Sequence, residues 1–144
     1  MIKLTTTTIN DLEQIREWIA ADPWHNTDAK ANPEFLLTGG GELAFCLQDD
    51  KGPLCYLRLD AEGDMLRLAI QFAPEDQVSK RRLIIGLIKM GIPAMVLFGK
   101  NNGYKGIVFW SINPALIAFG DKQGFKPTEV ENDFALVFEA EHNV

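Results

Sequence analysis

Three stretches between Glu42 and Phe72 alternate apolar and polar residues, and this pattern constrains the fold more than any other feature of the chain. The stretches are Glu42–Gln48, Leu54–Asp60 and Met65–Phe72, and short turns rich in aspartate and glycine separate them. Period-two runs joined by tight turns pair as neighbouring antiparallel strands with one apolar face. We therefore predict a three-stranded antiparallel meander whose apolar face another element must cover.

The next segment changes to helical spacing and is apolar on most sides. It covers Lys80–Leu97, and the residues Gly91–Pro93 predict a kink or a break. The apolar stretch within it, Leu83–Phe98, is shorter than the about 20 residues of a membrane-spanning helix and contains Lys89. We predict a buried helix covered by a sheet face, and we expect no membrane partner.

Strands and helices alternate along the rest of the chain. The predicted elements are a strand at Ile2–Thr8, a helix at Asp11–Ala21 with Asn10 as its N-cap, a brief helix around Pro33–Leu37, a strand at Ile107–Trp110, a helix at Pro114–Asp121 with Asn113 as its N-cap, and strands at Phe125–Glu129 and Phe134–Glu139. The strand Ile107–Trp110 is apolar on both faces, which is typical of a central strand. No repeat or linker divides the sequence, so we predict one domain over residues 1–144.

The composition excludes several classes of protein. A hydrophobic fraction of 47% excludes a disordered chain. The 14 basic and 20 acidic residues give a net charge of −6, which argues against a nucleic-acid partner. The N-terminus lacks the apolar core of a secretory signal, so we expect a cytoplasmic protein.

Cysteines and histidines are too few for a disulfide scaffold or a zinc site. The two cysteines, Cys46 and Cys55, either pair across neighbouring strands or remain free, and we expect buried free thiols. The two histidines have no cysteines clustered beside them, so we predict no metal.

One segment carries a family resemblance. Gly106–Pro127 combines an apolar strand, a helix that starts with Asn-Pro-Ala at Asn113, and the ending Lys122–Phe125, which reads Lys-Gln-Gly-Phe. This resembles the C-terminal half of the GNAT superfamily of acetyl-CoA-dependent N-acyltransferases, and the order of elements from Ile2 to Glu139 agrees with it. The resemblance implies an α/β fold of the α+β type, with a mixed, mainly antiparallel sheet, a central splayed pair of parallel strands and helices on both faces.

The resemblance also implies a mechanism and a set of binding residues. An acyl-CoA, either acetyl-CoA or a related thioester, lies between the splayed strands Met65–Phe72 and Ile107–Trp110, with its diphosphate at the N-terminus of the helix after the first of them. An amine attacks the thioester directly, and a backbone N–H polarises the carbonyl. The residues implied in acyl-CoA binding are Leu68, Ile70, Phe72, Lys80, Arg81, Arg82, Asn113 and Phe119.

The sequence departs from the GNAT pattern where the diphosphate binds. The family usually has Gln/Arg-x-x-Gly-x-Gly/Ala, and counting from Gln77 puts Lys80 and Arg82 at the two glycine positions. Either Lys80, Arg81 and Arg82 pair directly with the phosphates, or the loop has lost affinity and the basic run is solvated. Basic residues at a helix N-terminus are unfavourable unless an anion binds there, so we expect anion binding.

The tyrosine that often protonates the leaving thiolate in this family is missing. It stands four residues before the glycine of the Gly-Phe pair, and that position is Gly120 here. Tyr104 or Ser111 acts as the acid instead, or both are structural and water protonates the thiolate. We expect acyl transfer to be slow.

The acceptor side is less defined by the sequence. The resemblance puts it beside the loop after the first helix and over the turns of the meander. Candidate bases there are His25, Glu34, and Asp60 or Asp64. Trp24 and Trp110 either line an acceptor pocket or belong to the core.

The expected function is transfer of an acetyl group from acetyl-CoA to a primary amine. The acidic balance of the chain favours a cationic acceptor, either a small amine or an amine of a peptide or protein. A different class of function stays open, in which a GNAT-like scaffold has lost efficient CoA chemistry and binds a protein or a small ligand. The sequence also leaves the choice between a monomer and a homodimer open.

Overall fold

Seven strands form one mixed sheet in the order β1-β2-β3-β4-β5-β7-β6 in a computed structural model that describes residues 1–24, 33–36 and 43–139. The strands are β1 (Lys3–Thr6), β2 (Leu43–Asp49), β3 (Gly52–Glu62), β4 (Met65–Phe72), β5 (Gly106–Trp110), β6 (Lys126–Pro127) and β7 (Asp133–Val137). Every neighbouring pair is antiparallel except β4 and β5, which are parallel. The predicted fold class, a mainly antiparallel sheet around one parallel pair, is confirmed.

The meander predicted from the period-two pattern forms β2 to β4, with its apolar residues in register on one face. Leu57 of β3 lies opposite Phe45 of β2 and opposite Ile70 of β4. β3 begins at Gly52, earlier than predicted, because this glycine takes a φ of 128° and closes the turn in few residues.

Three helices pack on the sheet. They are α1 (Leu12–Ala21), α2 (Lys80–Asn101) and α3 (Pro114–Lys122), and two short 3-10 helices occur at Ile9–Asp11 and Pro33–Leu36. The predicted N-cap of α3 is confirmed, because the Asn113 side chain accepts the N–H of Ala115 at 3.0 Å.

The predicted N-cap Asn10 is wrong, because the first helical turn begins earlier. Thr8 caps the 3-10 turn that leads into α1, with its hydroxyl accepting the N–H of Asn10 at 3.3 Å. The Thr8 N–H in turn donates to the Asp11 carboxylate at 2.9 Å. A threonine followed three residues later by an acidic residue forms a capping box, and this one lies upstream of the predicted one.

α2 is continuous through the predicted break. Leu87–Gly91 forms a π-helical turn between the α-helical segments Lys80–Gly86 and Ile92–Asn101. The wider turn accommodates Pro93, whose missing N–H falls in the first turn of the second segment. Among the described residues, α2 is the one helix that is long and apolar enough to cross a membrane by length and composition.

Helices cover both faces of the sheet. α2 approaches the apolar face most closely at Gly86, where an added Cβ would lie 2.7 Å from the Leu54 side chain. α1 packs on the opposite face through Trp18, whose ring centroid lies 5.1 Å from that of Tyr56. This two-sided covering agrees with the layers that the resemblance implies.

The prediction of a buried helix holds for one side of α2 alone. Its outward side leaves Ile84, Ile85, Ile88 and Leu97 exposed to 39%, 36%, 46% and 60%. Its inward side buries Leu87 and Met95 against the sheet. The apolar composition of α2 therefore exceeds what the sheet covers.

Cys46 and Cys55 are free and buried, on adjacent strands but on opposite faces of the sheet. Cys46 lies opposite Tyr56, and Cys55 lies opposite Leu47. Residues one register step apart point to opposite faces, so the two thiols do not meet. The expectation of buried free thiols is confirmed.

Candidate functional site

The parallel strands β4 and β5 separate after a short contact, and this fork defines the candidate site. The pairing joins Met65–Arg67 of β4 to Gly106–Val108 of β5. Residues 68–72 of β4 pair with β3 and, among the described strands, with no other. Their backbone groups on the β5 side lack sheet partners, which confirms the predicted splayed pair.

An ion pair crosses the sheet where the fork opens. Arg67, the last residue of β4 paired with β5, donates to both carboxylate oxygens of Asp133 at 2.5 and 3.0 Å. It also donates to Glu62 at 2.7 Å, and the hydrogen bonds from Asp133 and Glu62 raise the pKa of Arg67. Because Asp133 begins β7 on the far side of β5, this pair connects β4 with β7 and holds the closed end of the fork.

A cleft of about 700 Å³ lies at the open end of the fork. Residues from the C-terminal end of α1, the end of β4 and the starts of α2 and α3 line it, and most are apolar or aromatic. The residues predicted to bind acyl-CoA that line the cleft are Phe72, Lys80, Asn113 and Phe119. Those outside its lining are Leu68, Ile70, Arg81 and Arg82.

Carboxylates neutralise much of the basic run at the start of α2. The Lys80 ammonium lies 3.5 Å from Glu75, and the Arg82 guanidinium donates to both oxygens of Asp49 at 2.6 and 2.9 Å. These hydrogen bonds from Arg82 lower the pKa of Asp49 to about 2 and raise the pKa of Arg82. Arg81 is exposed and has no ion pair within the described ranges. The helix start is therefore less cationic than its sequence suggests.

The backbone at this helix start still offers donors to an anion. Ser79 caps α2 by accepting the N–H of Arg82 at 3.3 Å. The N–H groups of Lys80 and Arg81 have no acceptor among the described residues, which is the usual state of a first helical turn. Free N–H groups and the helix dipole suit a phosphate, so these residues fit the diphosphate of an acyl-CoA without the family's glycines.

Position 120 has no room for the tyrosine that other GNAT sequences carry there. A Cβ on Gly120 would lie 3.0 Å from the ring of Phe109 and 3.6 Å from Phe125. The two phenylalanine rings pack edge to face, with centroids 5.1 Å apart. Aromatic packing in the core occupies the space beside Gly120, so a larger side chain requires Phe109 to move.

The structure does not bring the predicted catalytic residues together. Ser111 is fully buried, and its hydroxyl accepts the N–H of Asn113 at 3.0 Å, which shapes the turn into α3. Tyr104 precedes β5 and lies at the end of that strand opposite to the cleft, while Glu34 is exposed on a short 3-10 helix. None of these side chains lines the cleft, and His25 lies outside the described residues.

Sequence reasoning missed a polar network at the C-terminal end of α1. The Gln71 amide, on the face of β4 that α1 covers, donates from Nε2 to the Trp18 carbonyl at 3.4 Å and to the Asp22 carboxylate at 3.2 Å. The Trp18 ring N–H donates to the Gln77 side chain at 3.2 Å. Gln71 was recognisable as a polar residue within a period-two strand, but its partners come from an element distant in sequence.

Comparisons with known proteins find likeness in structure and not in sequence. No protein-family model matches the chain, and no curated protein sequence matches it. An acetyltransferase of the GNAT family from Staphylococcus aureus Mu50 superposes with a TM-score of 0.71 and 15% identity over 96% of this chain and 100% of that chain. The ribosomal-protein-S18-alanine N-acetyltransferase from Escherichia coli superposes with a TM-score of 0.64 and 17% identity, over 100% and 99%.

A third structure contains a ligand. The PaiA N-acetyltransferase from Thermoplasma acidophilum in complex with coenzyme A superposes with a TM-score of 0.65 and 18% identity over 94% of this chain and 96% of that chain. Likeness at such identities establishes the arrangement of the elements and not the substrate. The chain has the fold of the GNAT acetyltransferases. Its low identity to the solved structures makes it a divergent form of that fold.

Proposed function

We propose that the protein is an acyl-CoA-dependent N-acyltransferase that transfers an acetyl or related acyl group to a primary amine. The observation that carries this proposal is the fork between β4 and β5, which opens into a cleft of about 700 Å³. This volume is within the range of small-molecule sites, and one boundary of the fork is a strand edge with unpaired backbone groups. The GNAT fold of the chain supports the same class of reaction.

The reaction joins the amine nitrogen to the thioester carbonyl carbon, breaks the C–S bond, and leaves the proton shed by the amine on the thiol of CoA. The free edge of β4 is suited to hold an extended ligand through backbone hydrogen bonds. The N–H groups of Lys80 and Arg81 are suited to the diphosphate. Because glycine occupies position 120, we expect water to protonate the thiolate and turnover to be slow.

Calorimetric titration with acetyl-CoA tests the binding half of this proposal. We expect saturable binding by the natural chain and an at least about tenfold loss of affinity in the double variant Lys80→Ala, Arg81→Ala, because charge-assisted hydrogen bonds to phosphate are lost. The matched control is Lys89→Ala, Lys100→Ala, which removes two charges from the same helix away from the cleft. No binding at millimolar acetyl-CoA, or equal losses in both double variants, would contradict the proposal.

Release of free thiol in the presence of a panel of amines tests the transfer half. We expect release above the rate of thioester hydrolysis with at least one primary amine, and an amide product with the mass of the acylated amine. The panel includes small diamines, aminoglycoside-like compounds and peptides with a free N-terminus or lysine.

One observation favours a second candidate function, a binding module without efficient transfer. The residue that replaces the usual acid, Gly120, is packed against Phe109, so the core has adapted to its absence. Binding of acetyl-CoA without thiol release across the whole panel supports this alternative. Transfer to any amine well above hydrolysis excludes it.

A further inference from the structure

The end of the cleft beside α1 contains polar groups that acyl-CoA binding does not use. Asp22 follows the last residue of α1 and lines the cleft. Its carboxylate accepts the N–H of Trp24 at 2.8 Å and the Gln71 amide at 3.2 Å. Both donors are neutral, so these two bonds orient the carboxylate and leave its negative charge in place.

Gln71 supplies an independent sign of a ligand. The residue is 5% exposed, and its Nε2 lies within hydrogen-bonding distance of three oxygens, those of Trp18, Asp22 and Phe72. Three acceptors around one end of the amide fix its orientation, with Nε2 on this side and Oε1 on the other. Oε1 has no hydrogen-bond partner among the described residues. A buried carbonyl oxygen of this kind calls for a donor from outside the chain.

The walls beside this pair are aromatic. Trp18 and Trp24 both line the cleft, and Trp24 is 43% exposed. Indole faces attract cations, and an aromatic wall also buries an aliphatic stem. The titratable groups of the lining are three carboxylates, at Asp22, Glu75 and Asp76, against the single ammonium of Lys80. The charge of the lining therefore also favours a cation.

We propose that Asp22 and the Oε1 atom of Gln71 bind the ammonium group of the acyl acceptor, with Trp24 beside it. The acceptor is then a primary alkyl amine with an unbranched apolar stem, since Trp18, Phe72 and Leu116 line the same cleft. This inference rests on the proposed acyltransferase function for the word acceptor. The binding of the amine itself does not depend on acyl-CoA.

Intrinsic fluorescence in the absence of acyl-CoA measures this binding directly, since two of the three tryptophans line the cleft. The probes are n-pentylamine and its neutral counterpart n-pentanol, at constant ionic strength. We expect saturable quenching or a spectral shift with the amine, and an at least about tenfold weaker effect with the alcohol. Equal affinity for the alcohol and the amine in the natural chain overturns the proposal without any variant.

The decisive variant is Asp22→Asn, which keeps the shape and the acceptor for the Trp24 N–H but removes the charge. We expect it to lose about tenfold or more of the affinity for n-pentylamine and to leave that for n-pentanol unchanged. The matched control is Glu17→Gln, an exposed residue of the same helix outside the cleft lining, which should bind the amine as the natural chain does. Near-ultraviolet circular dichroism verifies that both variants are folded.

The outcomes separate this inference from the proposed function. Amine binding that depends on Asp22 in a protein that fails to bind acetyl-CoA supports the ammonium site and overturns the acyltransferase. Acetyl-CoA binding with amine affinity that is the same in Asp22→Asn and Glu17→Gln overturns the ammonium site and leaves the acyltransferase standing.

Discussion

Burial determines the chemistry of the two cysteines more than their residue type does. Cys46 is 2% exposed, and burial, assisted by the charge of Asp11, raises its pKa to about 12. Cys55 is fully buried, and burial raises its pKa well above the ordinary value. Only the thiolate is a nucleophile, so neither cysteine is a candidate for covalent catalysis.

We predict that the native protein does not react with Ellman's reagent at pH 8. Both thiols are protonated and shielded at that pH, so reaction requires unfolding. After denaturation in guanidinium chloride, two thiols per chain should react, in agreement with the cysteine count. Rapid reaction of the native protein would show that at least one thiol reaches the surface. The prediction also means that the protein adds no background to a thiol-release assay.

The ion pair between Asp49 and Arg82 makes a pH-dependent contribution to stability. The pKa of Asp49 falls from 3.8 to about 2 in the folded state, because of the hydrogen bonds from Arg82. A lowered folded pKa stabilises the protein above the unfolded pKa, and this contribution is lost as the pH falls through the folded pKa. We predict that Asp49→Asn lowers the free energy of unfolding by about 1–2 kcal/mol at pH 7.

Urea unfolding at several pH values checks this prediction. The difference between the natural chain and Asp49→Asn should be constant from pH 7 to pH 5 and shrink between about pH 4 and pH 2. The control Asp50→Asn changes a neighbouring carboxylate whose side chain is 84% exposed, and it should alter stability by less than about 0.5 kcal/mol. A difference for Asp49→Asn that stays the same at pH 3 would rule out the ion pair as its cause.

At the scale of elements, the closed end of the fork depends on close approach of three strands. Gly106 begins β5 between Met65 of β4 and Val137 of β7. An added Cβ there would overlap the carbonyl oxygen of Leu136 and lie 2.8 Å from the Met65 side chain. Because a backbone atom is in the way, side-chain rotation does not relieve the contact.

We predict that Gly106→Ala destabilises the protein by about 3 kcal/mol and that Gly86→Ala costs less than about 1.5 kcal/mol. A Cβ on Gly86 meets the flexible end of Leu54, and alanine gains about 1 kcal/mol of helix propensity over glycine there. Urea denaturation of both variants measures the difference. Equal losses would indicate that strand spacing at the fork adapts as easily as a side chain does.

At the scale of the whole molecule, two connections bridge the short contact between β4 and β5. The first is the Arg67–Asp133 ion pair across β5. The second is the C-terminal part of α2, where Gly99 lies against Leu66 of β4 and against Phe138, which follows β7. These contacts join the meander to the C-terminal strands behind the open cleft.

We therefore predict that residues 1–144 unfold in urea as one cooperative unit. Tryptophan fluorescence reports on Trp18 in α1 and Trp110 in β5, and far-ultraviolet circular dichroism reports on the helices. The two transitions should coincide, as for a single two-state domain. A separate transition for either signal would indicate that the strands after the fork form an independent unit.

Local patterns were sufficient to predict most elements but not the details of their ends. Period-two alternation predicted β2 to β4 and their common apolar face, because side-chain direction in a strand depends on position alone. Asn113 was a recognisable N-cap, whereas Asn10 was chosen wrongly because Thr8 competes for the same role. The break predicted at Gly91–Pro93 became a π-helical turn, because packing on the sheet keeps α2 continuous.

The sequence by itself determined the strand and helix order, the apolar face of the meander and the basic residues at the start of α2. The tertiary structure alone decided which groups meet at the site. It pairs Arg82 with Asp49, packs Phe109 against Gly120, and seats the Gln71 amide beside Asp22. The physical reason is that periodicity and capping act within a few residues of the chain, whereas charge pairing, burial and hydrogen bonding depend on partners that only folding brings together.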